Sequence, residues 1–359
     1  MKKKSQVAAP AKGASPAPAD KKPQMPLRRP TQRDIAAATG LSQTAVSLVL
    51  RHGDVPAVSA DARARILKAA QRLGYVPNRI AQNLQATRSH TLACIVPDIT
   101  NPTYPAMVRG FQAVSQAAGY DVMIFDTDAQ PERERQALNW LLQGHVDGVL
   151  ASFFHIAEAE LAGLVRRGTA LVLIGRPARK TSTQIDRLYV DNAGAARAMT
   201  QALIAKKHRH IAMISHPLGP GAERCRGYRS AMKDAGLRTI DIPADGFVQD
   251  AGMRAMAEFL AQRPLCSAVF AANDLLAIGA MAAIRAVGLR IPQDIAVAGF
   301  DDIPAAALMY PALTTVHRSE PAMGRMAADM LIAQLDAHGA ERPGRSIELP
   351  YQLVMRDSA

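Results

Sequence analysis

Apolar residues recur along this chain at two different spacings, and the spacing changes near residue 90. Before that point they recur every three to four positions over short stretches, as in amphipathic helices. From Thr91 onwards, short continuous apolar runs alternate with helical stretches. Such alternation is typical of parallel strands joined by helices. The pattern therefore predicts a small helical region followed by a larger α/β body.

Three helices are predicted in the first region. The first begins at Thr31, which forms a capping-box pattern with Asp34, and ends at Gly40. Ser42 caps the second helix and Ser59 caps the third. The apolar positions expected to pack together are Ile35, Ala36 and Ala38 in the first helix, Ala45, Val46 and Val49 in the second, and Ile66, Leu67, Ala70 and Leu73 in the third.

The second helix has a polar side that this small core does not use. Gln43, Thr44 and Ser47 lie there, together with Leu48. A helix, a tight glycine turn and a second helix with a polar front form a helix-turn-helix, in which the second helix enters the major groove of DNA. The first region is therefore predicted to bind DNA.

A short fourth helix is predicted directly after this region. Pro77 suits the first position of a helix, and residues 78–84 have room for only about two turns. So short a helix is marginal in water unless a partner stabilises it. Its partner is expected to be a second copy of itself or DNA.

The body is predicted to contain two similar lobes, because its length of roughly 270 residues exceeds what one core usually supports. Val190 and Asp191 are predicted to form a crossover between the lobes. The last predicted strand is SIELPYQLVMR. The other predicted strands are TLACIVPDI, DVMIFDTD, GVLASF and LVLIG in one lobe, and IAMISH, SAVFAAN and IAVAGFD in the next.

Polar residues follow these apolar strands at the points where the strands end. Ligands of open α/β sheets bind at the carboxyl ends of the strands, so these residues are predicted to line a ligand cleft. The predicted positions are Asp98 to Tyr104, Asp126, Ser152, Arg176, the loop to Arg224, Asn273 and Asp301.

Charge is distributed unevenly between the two regions. Residues 1–90 hold 16 Lys and Arg against 4 Asp and Glu, whereas residues 91–359 hold 27 of each. The whole net charge of +12 therefore lies at the end predicted to read DNA, as neutralisation of phosphates requires.

Residues 1–29 are predicted to be a disordered basic arm, because they contain many Lys, Ala and Pro residues and few that could form a core. They have no apolar stretch typical of a secretory signal, and no window of the chain resembles a membrane span. The three cysteines lack the spacing of a zinc site or a disulfide framework. We therefore expect a soluble cytoplasmic protein without metal or other cofactor.

These motifs are similar to those of the lactose-repressor/galactose-repressor family of bacterial transcription regulators. In the first region the matching strings are RDIA, GLSQTAVS and LGYVPN. In the body they are DITNPTYP, VDGVLAS, ANDLLAIGAM, VAGFDD, PALTTV and LPYQLVMRDS. The resemblance implies a DNA-binding head, a hinge helix, and a two-lobed body resembling periplasmic sugar-binding proteins that holds a small effector between its lobes.

The DNA contacts expected from this arrangement divide into three groups. Ser42, Ser47 and Arg51 are expected to contact phosphates. Gln43 and Thr44 are expected to contact bases. The resemblance further implies that paired hinge helices insert Leu84 between base steps in the minor groove. The complete set of expected DNA-binding residues is Thr31, Ser42, Gln43, Thr44, Ser47, Arg51, Asn78, Ala81 and Leu84.

The resemblance also implies roles in effector binding. Arg224 matches the position that clamps the ligand, Asp301 matches a carboxylate that accepts its hydroxyl or N–H groups, and Phe247 matches an aromatic ring that stacks on it. Arg224 and Asp301 are expected to face each other across the ligand. The full expected set is Asp98, Tyr104, Asp126, Ser152, Arg176, Arg224, Phe247, Asn273 and Asp301.

Purely structural roles are the alternative for some of these residues. Asn273 has the position of a helix cap, Asp301 and Asp302 have the position to cap the following turn, and Phe247 has a place in the lobe core. The effector itself remains open between a sugar, a sugar acid and a purine-like molecule.

Three positions depart from the family pattern. Leu48 stands where many members carry an arginine that binds guanine, and leucine cannot make that contact. Arg51 stands where asparagine is usual, which adds a phosphate contact. Gly175 stands where an aspartate often precedes Arg176, so one acceptor for a ligand hydroxyl is missing.

The predicted function is a sequence-specific DNA-binding repressor controlled by a small-molecule effector. No GxSxG or HExxH motif is present, so no catalytic residue is assigned. The alternatives are a periplasmic-type binding protein, which the basic head disfavours, and a regulator controlled by a partner protein. The chain lacks a leucine-heptad tail, so we expect a homodimer on a palindromic operator and no membrane association.

The predicted domains follow from these boundaries. Residues 1–29 form the arm, residues 30–76 the head, residues 77–90 the hinge and linker, and residues 91–359 the effector-binding and dimerisation domain. Within the latter, lobe one is predicted at about 91–190 and 318–345, and lobe two at about 191–317 and 346–359.

Overall fold

The structure is a computed structural model that describes residues 29–52, 56–76, 88–176, 185–337 and 343–359. It divides into two compact units between residues 87 and 88. No helix in these ranges is both long enough and apolar enough to cross a membrane. The predicted hinge helix and, except for Arg29, the predicted basic arm lie outside the described residues.

The head contains the three predicted helices, α1 (Gln32–Thr39), α2 (Gln43–His52) and α3 (Ala60–Leu73). The capping box of Thr31 and Asp34 is formed, and the left-handed Gly40 with φ of 69° ends α1. Four fully or almost fully buried side chains form the core, namely Ile35, Val46, Val49 and Ile66. The three helices and these four core positions are therefore those that the sequence predicts.

Two predicted core positions of the head are wrong. Ala38 is exposed, and its neighbour Thr39 is buried and donates its hydroxyl to the Ile35 carbonyl. Leu67 is 48% exposed, whereas Ala69 is buried. The inward face of α3 follows the spacing of three and four from Ile66, and Leu67 lies roughly 100° away from it around the helix.

The first lobe of the body is a six-stranded sheet of parallel strands in the order β11-β5-β4-β3-β1-β2. Its strands are β1 (Thr91–Val96), β2 (Asp121–Asp126), β3 (Gly148–Ala151), β4 (Ala170–Ile174), β5 (Asp186–Val190) and β11 (Ser346–Leu349). Its helices are α4 (Thr103–Ala117), α5 (Pro131–Leu141), α6 (Ala162–Arg166) and α12 (Glu320–Asp336), with a 3₁₀ turn at Glu158–Leu161.

The second lobe is a four-stranded parallel sheet in the order β7-β6-β8-β9. Its strands are β6 (Ile211–Ser215), β7 (Ile240–Pro243), β8 (Ala268–Ala271) and β9 (Ala296–Ala298). Its helices are α7 (Asn192–Ala205), α8 (Pro220–Asp234), α9 (Gln249–Ala261), α10 (Asp274–Ala286) and α11 (Pro304–Leu308). The two-lobed α/β body predicted from the sequence is confirmed.

The end of the chain departs from the prediction. The single predicted last strand is two strands, because Pro350 lies between β11 and β12 (Tyr351–Val354) and has no N–H group to continue a ladder. β11 joins the first sheet beside β5, whereas β12 pairs antiparallel with β10 (Thr315–Arg318). Residues 346–349 therefore belong to the first lobe, and not to the second as predicted.

The helices α4 and α12 pack with their backbones in close contact. A Cβ atom on Gly110 of α4 would lie 2.2 Å from the carbonyl oxygen of Pro321, and one on Gly324 of α12 would lie 1.9 Å from that of Met107. Both positions therefore need glycine. Because the two backbones touch, α12 is held firmly against the first lobe from its first turn onwards.

Candidate functional site

The second helix of the head presents the polar side chains that the sequence assigned to DNA. Gln43 and Thr44 are exposed in its first turn, and Ser47 is half-buried. The Ser42 hydroxyl accepts a hydrogen bond from the Ala45 N–H group at 3.1 Å, so Ser42 caps the helix as predicted. Arg51 lies in the last turn.

The other residues assigned to DNA binding either cap a helix or lie outside the described residues. Thr31 is occupied as the cap of α1, where its hydroxyl and N–H group both bond the Asp34 carboxylate at 2.7 Å. The side chain of Arg51 and all of Asn78, Ala81 and Leu84 lie outside what the structure describes. Their roles in DNA binding stay predictions.

Two neighbouring cavities lie between the lobes of the body. Cavity A has a volume of about 360 Å³ and cavity B of about 250 Å³. Of the residues assigned to effector binding, cavity A is lined by Asp98, Tyr104, Arg224, Phe247, Asn273 and Asp301. Cavity B is lined by Tyr104, Ser152 and Arg176. Asp126 lines neither cavity, and its exposed carboxylate accepts a hydrogen bond from the Asp128 N–H group.

Arg224 is the most constrained residue of cavity A. It is only 2% exposed, and its guanidinium lies 3.6 Å from the centroid of the Phe300 ring. Its Nε donates to Asn192 Oδ1 at 2.9 Å, and its two NH groups donate to the Ala272 carbonyl and to Asp301 Oδ1. Burial lowers the pKa of Arg224 to about 10, so the group remains charged at neutral pH.

Asp301 pairs directly with Arg224, at 3.2 Å, and does not face it across a ligand as the sequence led us to expect. Both residues belong to the second lobe, and Asp301 follows β9 with a φ of 113°. Such a φ is strained for a residue other than glycine. The strained backbone directs the carboxylate towards the interior of the cleft, and the capping role considered for Asp301 is replaced by ion pairing.

Arg318 completes this network, although it was not among the residues assigned from the sequence. Its Nε lies 3.1 Å from Asp301 Oδ1 and 2.9 Å from Glu320 Oε1. Burial lowers the pKa of Arg318, but the charges of Asp301 and Glu320 together raise it above its ordinary value. Burial raises the pKa of Glu320 to about 7, although Arg318 opposes the change. Arg318 ends β10 and Glu320 begins α12, so the network lies on a crossover between the lobes.

Three aromatic rings meet at cavity A. The ring of Phe247 lies edge-on to His216 at 5.3 Å and to Phe154 at 6.2 Å. Phe247 also packs against the core of the second lobe, as the alternative interpretation held, and its stacking on a ligand stays a prediction. Phe154 comes from the first lobe and was not assigned from the sequence. Its loop is held by the buried Glu134, whose carboxylate accepts N–H groups from Phe154, His155 and Ile156.

Asn273 has a structural role as well as a place in the cavity wall. Its side-chain oxygen accepts the Leu276 N–H group at 2.9 Å and caps α10, as the alternative interpretation held. Its side-chain nitrogen donates to the carbonyl of Phe247 at 2.8 Å. Asn273 therefore holds the segment that carries Phe247 at the cavity.

The remaining assigned residues line the first-lobe side of the cleft. The Asp98 carboxylate accepts from the N–H and hydroxyl groups of Thr100. Burial raises the pKa of Tyr104 to about 12, so its hydroxyl keeps its proton at neutral pH. Arg176 lies over the ring of Tyr189 with 4.9 Å to the centroid, and pairs with Asp191 and Glu348.

Comparison with known proteins gives matches over both regions. The model of "Bacterial regulatory proteins, lacI family" matches residues 31–78, and that of "Periplasmic binding protein-like domain" matches residues 200–359. The chain is similar to the HTH-type transcriptional regulator CelR of Thermobifida fusca, with 34% identity over 92% of this chain and 98% of that protein. It is 33% identical to the ribose operon repressor of Escherichia coli strain K12 over 92% of this chain and 99% of that repressor.

A solved structure is also similar along almost the whole chain. The transcriptional regulator CelR-cellobiose complex has a TM-score of 0.66 and 32% sequence identity. The likeness covers 92% of this chain and 100% of that chain. The arrangement of a helix-turn-helix head before a two-lobed body is thus shared with these proteins over their full length.

Proposed function

Because this chain belongs to the LacI family of bacterial regulatory proteins and is a DNA-binding transcription regulator, we propose that a sugar bound between its lobes controls its affinity for operator DNA. Its relatives include a ribose operon repressor and a regulator solved as a complex with cellobiose. The observation that carries the proposal is the network of Arg224, Asp301 and Arg318, buried within a cavity that both lobes line.

This network suits the hydroxyl groups of a sugar. A guanidinium has five N–H groups, and three of those of Arg224 have partners among the described residues. Two therefore remain to donate to ligand oxygens. The fixed partners hold the guanidinium plane in place, which lowers the entropy lost on binding. The nearby ring of Phe247 offers an apolar contact for the face of a sugar ring.

We assign the reading of DNA to the exposed start of α2. Gln43 and Thr44 are placed to reach base edges, while Ser42, Ser47 and Arg51 contact phosphates. Leu84, with Asn78 and Ala81 in the same hinge segment, acts in the minor groove. Residues 30–76 then form the DNA-binding domain, residues 77–90 the hinge and linker, and residues 91–359 the effector-binding domain.

Helix α12 is the element that transmits effector binding. Its first residue, Glu320, lies in the cleft beside Arg318. At its other end, the Leu335 carbonyl accepts a hydrogen bond from Arg88, and Asp336 lies 3.6 Å from the same guanidinium. Arg88 is the first residue of the second compact unit and lies within the linker segment of residues 77–90. A sugar that moves the Arg318–Glu320 crossover therefore shifts the support of the linker.

A homodimer fits this function, because a two-fold pair of heads reads a palindromic operator. Exposed apolar side chains on the body offer the contact between copies. Met123 and Ile124 lie on β2, at the edge of the first sheet, and Tyr310, which follows α11, is 91% exposed. A regulator of bacterial genes works in the cytoplasm, and we assign it no catalytic activity.

The proposal is tested in two steps with the purified full-length protein. An operator is first selected from random DNA, and its affinity is measured by gel shift. Neutral sugars, sugar acids and purines are then added separately. We expect a neutral sugar to weaken operator binding, whereas an effect confined to purines or sugar acids would contradict the sugar assignment.

A further inference from the structure

Cavities A and B belong to one continuous cleft. They share five lining residues, which are Thr103, Tyr104, Phe154, Pro220 and Arg318. Their volumes of about 360 and 250 Å³ together lie well within the range of small-molecule sites. Arg224 and Asp301 line cavity A but not cavity B, so cavity B is space that a sugar bound to these two residues does not use.

The wall of cavity B is open where Gly175 follows β4. Its φ of 125° favours glycine, and a Cβ atom built there meets nothing within 4 Å. Here the backbone alone forms the wall, which leaves room beyond the first ligand ring.

Cavity B combines apolar and hydrogen-bonding groups in the way that a sugar ring does. Ile174, Phe153 and the ring of Tyr189 supply apolar surface. Ser152, Asn192 and Glu223 supply donors and acceptors on the other walls. Such a lining matches a ring with apolar faces and a rim of hydroxyl groups.

The cations of both cavities are already balanced within the protein. Arg176 pairs with Asp191 and Glu348, and Arg187 pairs with Glu158. Arg224 and Arg318 share Asp301, and Arg318 also pairs with Glu320. A phosphate or carboxylate ligand usually binds through cationic side chains that are available to form ion pairs with it. Because carboxylates of the protein already balance these arginines, an anionic ligand would add an unbalanced negative charge, which disfavours an anionic effector.

Thr103 is a polar group at the junction of the two cavities. It is 5% exposed, and its Oγ1 has no hydrogen-bond partner within the part of the chain that the structure describes. A buried hydroxyl without a partner is costly, so such groups are usually satisfied by a ligand or water. Thr103 lines both cavities, so this hydroxyl lies beside the path of a molecule that extends from cavity A into cavity B.

From these observations we propose that cavities A and B together bind one neutral glycoside of at least two sugar rings. One ring contacts the Arg224 network in cavity A, the next ring occupies cavity B, and Thr103 bonds the molecule between them. This inference rests on the proposed function, because it assumes that the effector is a sugar.

Calorimetry on the full-length protein tests this inference. The probes are neutral disaccharides, their component monosaccharides, gluconate and glucose 6-phosphate. We expect one disaccharide to bind at least about tenfold more tightly than either of its monosaccharides, and more tightly than both anions. Equal or tighter binding of the monosaccharides, or of an anion, would overturn the inference.

Variants then locate the second ring. Ile174→Trp fills cavity B, and we expect it to lower the affinity for the disaccharide much more than that for the monosaccharide. If the tryptophan variant fails to fold, Arg176→Ala takes its place, because Arg176 is exposed. We expect it too to lower the affinity for the disaccharide more than that for the monosaccharide. Val287→Trp, on the exposed end of α10, is the matched control and should change neither affinity.

The two proposals fail in different ways. If no neutral sugar binds, the proposed function fails and this inference fails with it. If a sugar binds and releases the operator, but Ile174→Trp and Arg176→Ala reduce mono- and disaccharide affinity equally, only the second-ring assignment is overturned.

Discussion

The guanidinium of Arg88 donates a hydrogen bond to the backbone carbonyl of Leu335, in the last turn of α12. The first residue of the same helix, Glu320, lies in the effector cleft beside Arg318. A helix of 17 residues spans about 25 Å, so one packed element joins two distant points of the body. Its backbone contact with α4 limits bending, and a displacement at one end is carried to the other.

The first prediction concerns this connection. Arg88→Ala removes the anchor at Leu335 and Asp336 but changes nothing in the cleft. We expect the affinity for sugar to stay within about twofold of the wild-type value, because Arg88 lies outside the cleft. The effect of sugar on operator affinity should become smaller, because the coupling between the two sites is a free energy separate from that of sugar binding. Calorimetry and gel shift measure the two quantities. Arg325→Ala, an exposed residue on the same helix, is the control, and an equal loss of response there would argue against Arg88.

The second prediction concerns Leu84, whose proposed role is to enter a base step in the minor groove. Leu84→Ala should preserve folding and sugar binding and lose most operator affinity, because the wedge that kinks the DNA is gone. A bending assay on the operator shows the loss directly. A variant that still kinks its operator and binds it at near wild-type strength would show that the segment is only a linker.

The third prediction concerns Gln43 and Thr44, which are exposed at the start of α2. Replacing either by alanine should cost about 1–3 kcal/mol of operator binding and relax the preference at one base pair. Selection from randomised DNA measures the preference. Lys68→Ala, exposed on α3, is the control. Unchanged sequence preference in both Gln43→Ala and Thr44→Ala would remove the recognition role from this end of the helix.

The fourth prediction concerns the buried carboxyl group of Asp274. Burial raises its pKa to about 8, and the nearby charges of Asp301 and Asp302 act in the same direction. The folded protein thus keeps a proton that the unfolded chain loses above about pH 4. Stability should therefore fall as the pH rises from about 4 towards 8, by at most about 1.4 kcal/mol per pH unit for this group.

Asp274→Asn should flatten that fall, since the amide has no proton to lose. The amide can still accept from the Ile303 N–H group and donate to the Thr315 hydroxyl, the two present partners of the carboxylate. Denaturant unfolding at several pH values measures the slope. Asp294→Asn is the control, because hydrogen bonds from Arg290 lower the pKa of Asp294 to about 2, which lies outside the range between about pH 4 and pH 8. Identical slopes for wild type and Asp274→Asn would refute the assignment.

Local signals were sufficient for much of the structure. The capping box at Thr31, the turn at Gly40 and the cap at Ser59 are each decided by neighbouring residues, and all three are formed. The polar ends of the strands likewise predicted that Asp98, Arg224 and Asp301 line one cleft, because parallel strands end on the same edge.

Contacts between distant segments were not predictable in the same way. Arg318 lies two residues beyond the PALTTV string, and it reaches the cleft only because β10 leads into a crossover between the lobes. Its partner Asp301 is already paired with Arg224, which is 77 residues away in sequence. Leu67 and Pro350 are further examples. The packing of other segments determines which face of α3 points inward, and it determines which sheet is joined by each of the strands β11 and β12 on either side of Pro350.

The central claim is that a sugar in the cleft controls operator binding, and Arg224→Leu tests it most directly. This variant keeps Asp301 paired with Arg318, so no carboxylate is left without a cation. Removing Asp301 instead would leave two buried arginines side by side, which is why Arg224 is the better choice.

The measurement is operator affinity by gel shift, with and without saturating sugar, for wild type and Arg224→Leu. We predict that the sugar weakens operator binding of the wild type by about 5- to 150-fold and leaves that of the variant unchanged. A wild type that binds the sugar without any change in operator affinity, or a variant that responds as fully as the wild type, would contradict the account.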